Sequence, residues 1–197
     1  MNANQPYRTE PAYRACMPAW RWATVLILVL VARTSEGIDL GEWARNMLHH
    51  DDWTSLDFRD PFLGMFLAAR AGTDDPRTKA TLTFTAALKQ QCVPDVSIAI
   101  NVGQPAVTGS EQLSRATVQF DGTTPRHLAV RVVSPPDDSF VFVEFLEKIS
   151  PDLVRNHQTM VVAIPDREPS VFSLKGFDSA WDTAQATCRS FMLPDTK

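Results

Sequence analysis

His49-His50-Asp51-Asp52 is the densest run of potential ligands in the chain, since imidazole and carboxylate are the groups that zinc and other divalent metals take. Adjacent residues point different ways, however. Two ligands of one metal ordinarily sit at positions such as i and i+4, and no third histidine is near. The expectation is a polar surface segment at the end of a helix. His127 and His157 each stand without a visible partner, which suits a strand edge or a loop better than a general base. Asp74-Asp75 and Asp137-Asp138 border prolines, where solvated turns place aspartate. Trp53, Phe58 and Phe62 could form a platform for a partner or a sugar, but core packing is the more frequent role of such residues.

Motifs that would rescue a catalytic reading are missing from the sequence. There is no Gly-x-Ser-x-Gly, Cys-x-x-Cys or His-Glu-x-x-His, and eight glycines leave little for a phosphate-cradling loop. The expectation is therefore no catalytic, cofactor-binding or metal-ligating residue, and no cofactor. A carboxylate pair assembled from distant positions, as in a glycosidase, would escape this reading.

The N-terminus speaks to compartment. Arg8, Arg14 and Arg21 precede an uncharged apolar run from Trp22 to Ala32, closed by Arg33. Eleven residues fall short of the roughly 20 that cross a bilayer, and Ser35-Glu36-Gly37 offers small residues before Ile38. Residues 1–37 thus read as a signal peptide and residues 38–197 as one β-rich domain. An uncleaved signal anchor is the competing reading. Cys16 precedes the apolar run, where a lipoprotein cysteine cannot sit.

Removing 37 of the 197 residues leaves 160, enough for one proper core. The leader carries four arginines and two glutamates, so the remainder has 15 Lys plus Arg against 21 Asp plus Glu. That charge has the wrong sign for a nucleic-acid surface. Three cysteines become two, Cys92 and Cys188, and an even count in an oxidising compartment favours a disulfide. Two buried free thiols are the alternative.

The elements follow from periodicity. Leu40, Trp43, Ala44, Met47 and Leu48 have helical spacing, which predicts a short amphipathic helix over 38–50. Phe62 to Ala69 reads as a buried strand between turns. Leu82, Phe84, Ala86 and Leu88 alternate with Thr81, Thr83, Thr85 and Ala87, so one face is apolar and the other largely hydroxylic. Val96 to Val102, Ala116 to Phe120 and Leu128 to Val132 repeat the alternation, and short spacings join them most simply as a meander. Phe140 to Phe145 starts extended, and Ser150-Pro151 opens a short helix. Met160 to Ile164 and Ser170 to Leu174 make two more strands, ended at Gly176. Phe177, Trp181, Ala184, Cys188 and Phe191 share one helix face, with Asp178 or Ser179 as cap. That face points Cys188 toward the sheet, where Cys92 stands just before the Val96 strand. The fold class is α+β: a mainly antiparallel sheet or sandwich-like meander, a C-terminal helix packed on it, and a short N-terminal helix.

Trp53 with Asp60-Pro61, the strand Leu82 to Cys92, the turn Phe120-Asp121-Gly122, the stretch Phe140 to Leu153, and Phe172-Ser173-Leu174-Lys175-Gly176-Phe177 with Trp181 and Cys188 occur in an order that resembles a known group. It is that of the exported type VI secretion-associated VasI/TagO proteins and, less closely, the invasion-associated locus B proteins. The resemblance covers residues 53 to 191, and an insertion from Gln104 to Leu113 lengthens one hairpin. It implies a small periplasmic β-rich domain with a disulfide and no catalytic residue to carry over.

The expected function is a periplasmic or secreted, non-enzymatic binding or accessory protein of the cell envelope, with a faint link to secretion and a protein partner. No nucleic-acid partner is expected, and no stable membrane span remains once the signal is removed. The alternatives are an envelope hydrolase acting on cell-wall or glycan material and a signal-anchored membrane subunit.

Overall fold

The computed structural model describes residues 43–192; the expected signal peptide and residues 38–42 lie outside them. Ten strands form one antiparallel sheet: β1 (Ala44–His50), β2 (Trp53–Arg59), β3 (Phe66–Asp75), β4 (Ala80–Ala87), β5 (Pro94–Asn101), β6 (Ser110–Phe120), β7 (Arg126–Ser134), β8 (Phe140–Phe145), β9 (Thr159–Ala163) and β10 (Ser170–Ser173). A short helix, α1 (Pro151–Val154), follows β8, and the long helix α2 (Phe177–Ser190) follows β10.

The first five strands are a meander, as their short connections predict. The rest is not. The spatial order is β1-β2-β3-β4-β5-β8-β7-β6-β9-β10, so β5 pairs with β8 and the chain crosses over before entering β6. The expected hairpin lengthened by Gln104 to Leu113 is therefore absent: residues 102–109 connect strands that do not pair, and Ser110 to Leu113 already belong to β6. Hairpins β6–β7 and β7–β8 then fill the gap in reverse.

Alternation divides the sheet as the sequence suggests. Leu82, Phe84, Ala86, Val96 and Ile98 enter the main core, which also takes Val118, Val130, Val143, Met160 and Phe172. Thr83 and Ser97 share the opposite face, where their hydroxyls bond at 3.0 Å. The sheet curls over this core so that its last strand returns to the second and third. The indole N–H of Trp53 donates to the Ser173 carbonyl (2.8 Å), and the Val171 N–H donates to Asp75 (2.8 Å).

Residues 44–50 correct the predicted N-terminal helix, because they pair with β2 as an edge strand. The reason is visible in the register. Arg45 opposes Asp57 while Leu48 opposes Ser55, so one extra residue is bulged out, with Asn46 at φ +51°. A bulge breaks a two-residue period and leaves apolar spacings of three and four. Phe62 and Leu63 also differ from expectation, since β3 begins only at Phe66.

Helix α2 lies across β2, β3 and β4. Ala69 and Ala71 below and Ala180 and Ala184 above are all buried, and small residues on both sides let helix and sheet approach closely. Beside them Trp53, Phe84, Phe177 and Trp181 meet edge to face, with centroids 4.9 to 6.1 Å apart. The expected cap is corrected. Gly176 occupies the N-cap position without a side-chain cap, and Asp178 instead pairs with Arg155 at 3.3 Å. Only glycine fits there. Its φ is +91°, and a Cβ would lie 1.9 Å from the His50 carbonyl oxygen. At α1 the expected cap holds, with the Ser150 hydroxyl accepting from the Asp152 N–H.

Cys92 and Cys188 form a disulfide with Cα atoms 5.9 Å apart. It ties the last turn of α2 to the turn between β4 and β5, where Gln91 and Cys92 both adopt left-handed backbone angles. Among the described residues no helix is long and apolar enough to cross a membrane.

Candidate functional site

The histidines and aspartates serve the fold. As strand residues, His49 and His50 point to opposite sides; His49 meets the Thr54 hydroxyl at 3.2 Å and His50 the Ser55 hydroxyl at 2.8 Å. His127 pairs across the strands with Thr117 (3.1 Å). His157 does meet a carboxylate, Asp121, at 3.0 Å, and its ring stacks on Phe120. Asp121 is occupied, however. It accepts from the Gln158 and Thr159 N–H groups and the Thr159 hydroxyl, and these bonds, Gln158 first, hold its carboxyl down to about 2. This dyad pins a turn.

Two of the turn aspartates are not solvated, contrary to expectation. Asp75 is buried and takes hydrogen bonds from the Val171 N–H, the Thr78 hydroxyl and the Arg77 N–H. Burial alone would raise its carboxyl, but those bonds and the Arg77 charge outweigh it and leave the group below its ordinary range. Asp138, also buried, caps the start of β8 through the Phe140 N–H. Among the described residues no three metal-ligating side chains come together.

The three aromatics separate. Trp53 is in the core and Phe58 is buried on the outer face of the sheet, where the Arg70 guanidinium stacks 4.8 Å from its ring centre. Arg70 is itself buried and donates to Thr85, and that burial lowers it to about 10 despite the nearby Asp95 charge. Further along this face Arg131 pairs with Glu144 and, at 3.6 Å, with Glu111. Phe62 is 91% exposed.

Topology gathers a surface around Phe62. The β2–β3 loop, the β4–β5 turn, the β8–α1 loop and the last turn of α2 all emerge at one end of the sheet, as the pairings Ala68 with Ala87, Ala86 with Pro94 and Ser97 with Glu144 require. Exposed there are Phe62, Leu63, Met65, Val93, Leu146, Phe191 and Met192. Two parts can be distinguished.

The first is an open groove of about 400 Å³ between the β4–β5 turn and the β8–α1 loop. Val96, Phe145 and Ile149 are its buried floor, Val93 and Leu146 its half-exposed apolar walls, and Gln90, Asp95, Glu147 and Lys148 its polar rim. Asp95 is held above the ordinary carboxylate range, first by desolvation and then by the Glu144 charge. An apolar centre within a polar rim is the anatomy of a protein-binding patch.

The second is the β2–β3 tip. Asp60 organises it: its carboxylate accepts from the Phe62 and Leu63 N–H groups (2.9 and 2.8 Å), and its carbonyl accepts from the Gly64 N–H (2.8 Å). Its own N–H donates to the Met65 carbonyl, also at 2.8 Å. Gly64 closes the turn at φ +65°. Beside the tip, Phe191 stacks on Phe66 with centroids 4.4 Å apart, and the Arg59 guanidinium covers the Phe191 ring.

Sequence reading missed Leu63, Met65, Val93 and Leu146 as surface residues. A signal was available for Leu63, because Asp60-Pro61 followed by Gly64 has the residues of a tight turn, and apolar residues inside such a turn are poorly placed to reach a core.

No protein-family model matches the chain, and no curated protein matches it. Among solved structures the chain is similar to the crystal structure of invasion associated protein b from Bartonella henselae, with 11% sequence identity over 74% of this chain and 99% of that one, at a TM-score of 0.49.

Proposed function

We propose that this chain is an exported, non-enzymatic binding protein of the bacterial cell envelope that receives a segment of a protein partner in the groove between the β4–β5 turn and the β8–α1 loop. The groove carries the reading. Its apolar walls, Val93 and Leu146, are exposed, and Gln90, Asp95, Glu147 and Lys148 border them without closing them off. Export is supported by the arginine-led apolar run and by a disulfide that an oxidising compartment would maintain. A role beside a secretion machine is the finer form of the proposal and rests on the VasI/TagO resemblance alone.

The test is photo-crosslinking in the envelope from a benzophenone side chain at position 146. A single protein adduct that disappears in Val93→Asp supports the proposal. No adduct above that from an exposed position far from the groove, such as 107, counts against it. Intact mass measured before and after reduction tests export, with a chain starting near Ile38 and both thiols blocked as the expected result.

One observation favours a second reading. Asp95 and Glu147 both line the groove rim, and two carboxylates at one opening are the groups that a glycan hydrolase uses as acid and base. Turnover of a cell-wall or glycan substrate that Asp95→Asn abolishes would establish that reading in place of the first.

A further inference from the structure

The β2–β3 tip lies outside the groove and has a property that the groove lacks. We infer that Phe62 and Leu63 form a membrane-insertion tip, which dips into the outer layer of a lipid bilayer and holds this end of the protein against it.

Backbone chemistry is the first argument. Apolar side chains enter the headgroup and upper acyl region most readily when the N–H groups beside them already have partners, because an open donor costs several kcal/mol away from water. Pro61 has no N–H. The N–H groups of Phe62, Leu63 and Gly64 all end on Asp60, at 2.8 to 2.9 Å. Four consecutive residues at the point of the hairpin thus carry no free donor. The same bonds fix the turn, so insertion orders little that is not ordered already.

Shape is the second. Phe62 is 91% exposed and Leu63 70%, so both side chains stand clear of the protein instead of lining a concavity. A protein partner would need a pocket cut to them; a bilayer needs none. Around them Met65, Phe191 and Met192 make a half-exposed apolar collar, with the Arg59 guanidinium over Phe191 at the level where headgroups would lie.

The third argument concerns the chain that precedes the described residues. Trp43 is fastened to the base of the tip, its carbonyl accepting from the Arg59 N–H at 2.9 Å. Only residues 33–42 separate it from the apolar run that ends at Ala32, and ten residues span at most about 35 Å. Whenever that run occupies a membrane, as a signal in transit or as a retained anchor, the base of the tip is held within about that reach of the same surface.

The experiment uses the full chain with Cys16→Ser and one added cysteine carrying an environment-sensitive fluorophore, either Phe62→Cys or Val107→Cys. Both positions are 91% exposed, and Val107 lies in the β5–β6 connection at the other end of the sheet. In vesicles of phosphatidylglycerol and phosphatidylethanolamine, the probe at 62 should shift to the blue and be quenched by doxyl groups placed high on the acyl chains. The probe at 107 should stay water-like. Adding Leu63→Ser should cut the quenching at 62 at least threefold while an intact disulfide and circular dichroism report an unchanged fold. Equal, water-like emission from both positions would overturn the inference. So would a probe at 62 that stays water-like on vesicles but crosslinks to a protein in the envelope. Neither result touches the groove, whose adduct at position 146 is scored separately.

Discussion

The root of α2 and the tip of the β2–β3 hairpin are opposite solutions to placing a glycine. At the root, Gly176 is wedged against the His50 carbonyl so closely that no Cβ fits, and the adjoining Trp53, Phe84, Phe177 and Trp181 are all buried. At the tip, Gly64 has the same left-handed backbone but nothing within 4 Å of where its Cβ would be. The root spends its apolar residues on the fold, and the tip leaves Phe62 and Leu63 in water. Residues that look alike in sequence therefore separate into those that hold the protein together and those available to something else.

That contrast should appear as a gradient of stability effects. Cys92→Ser opens a loop of 96 residues that anchors the end of α2, and should cost about 4 kcal/mol in urea unfolding under oxidising conditions; an equal loss should follow reduction of the unchanged chain. Gly176→Ala should cost about 3 kcal/mol by the same measurement, since it combines a backbone clash with an unfavourable φ. Gly64→Ala, with open space around it, should cost markedly less than Gly176→Ala, and equal effects would erase the distinction drawn here.

Asp75→Asn should cost about 1–2 kcal/mol at neutral pH, because it weakens the bonds to Val171, Thr78 and Arg77. Its pH dependence has a definite sign. A carboxyl held below its ordinary value contributes fully above about pH 4, and the contribution is lost as pH falls through the folded-state pKa. Asp121 acts in the same direction down to about 2. The variant should therefore show a shallower fall in stability below pH 4. Leu63→Ser should leave stability within about 0.5 kcal/mol of the parent while cutting the vesicle quenching at position 62 at least threefold. Asp95→Asn should give the smallest effect and the opposite sign. Its raised carboxyl favours the fold below its ordinary pKa and loses that contribution as pH rises through the higher folded value, so the amide should slightly raise the unfolding midpoint at pH 7.

Much of the fold was legible because alternation survives wherever a strand has one buried face. The β4 pattern, the Ser150-Pro151 helix start and the α2 face that aims Cys188 at Cys92 all follow from local periodicity and capping chemistry. What failed was either irregular or non-local. The bulge at Asn46 made an edge strand count like a helix. The pairing of β5 with β8 was hidden because nothing local distinguishes a strand's next neighbour in sequence from its neighbour in space, although the long connection to β6 was a hint. The groove was not legible at all, since its two walls come from segments about fifty residues apart that only the β5–β8 pairing brings together. The tip was half legible, since Asp60-Pro61 reads as a turn but Phe62 to Gly64, which complete it, read as the start of a strand.

The position of the bridge has a consequence for the order of events in synthesis. In a chain that emerges from its N-terminus Cys188 arrives 96 positions after Cys92, and the last residues before it build the helix that covers β2, β3 and β4. Until then the β4–β5 turn, with its two left-handed residues, has no covalent restraint, and Ala69 and Ala71 have no lid. Long-range closure of this kind is slow to find and exposes apolar surface while it is awaited. A chain that lacks only α2 therefore has the sheet and both groove walls, but the turn that carries Val93 is not yet tied down and Phe66 has no Phe191 to stack on.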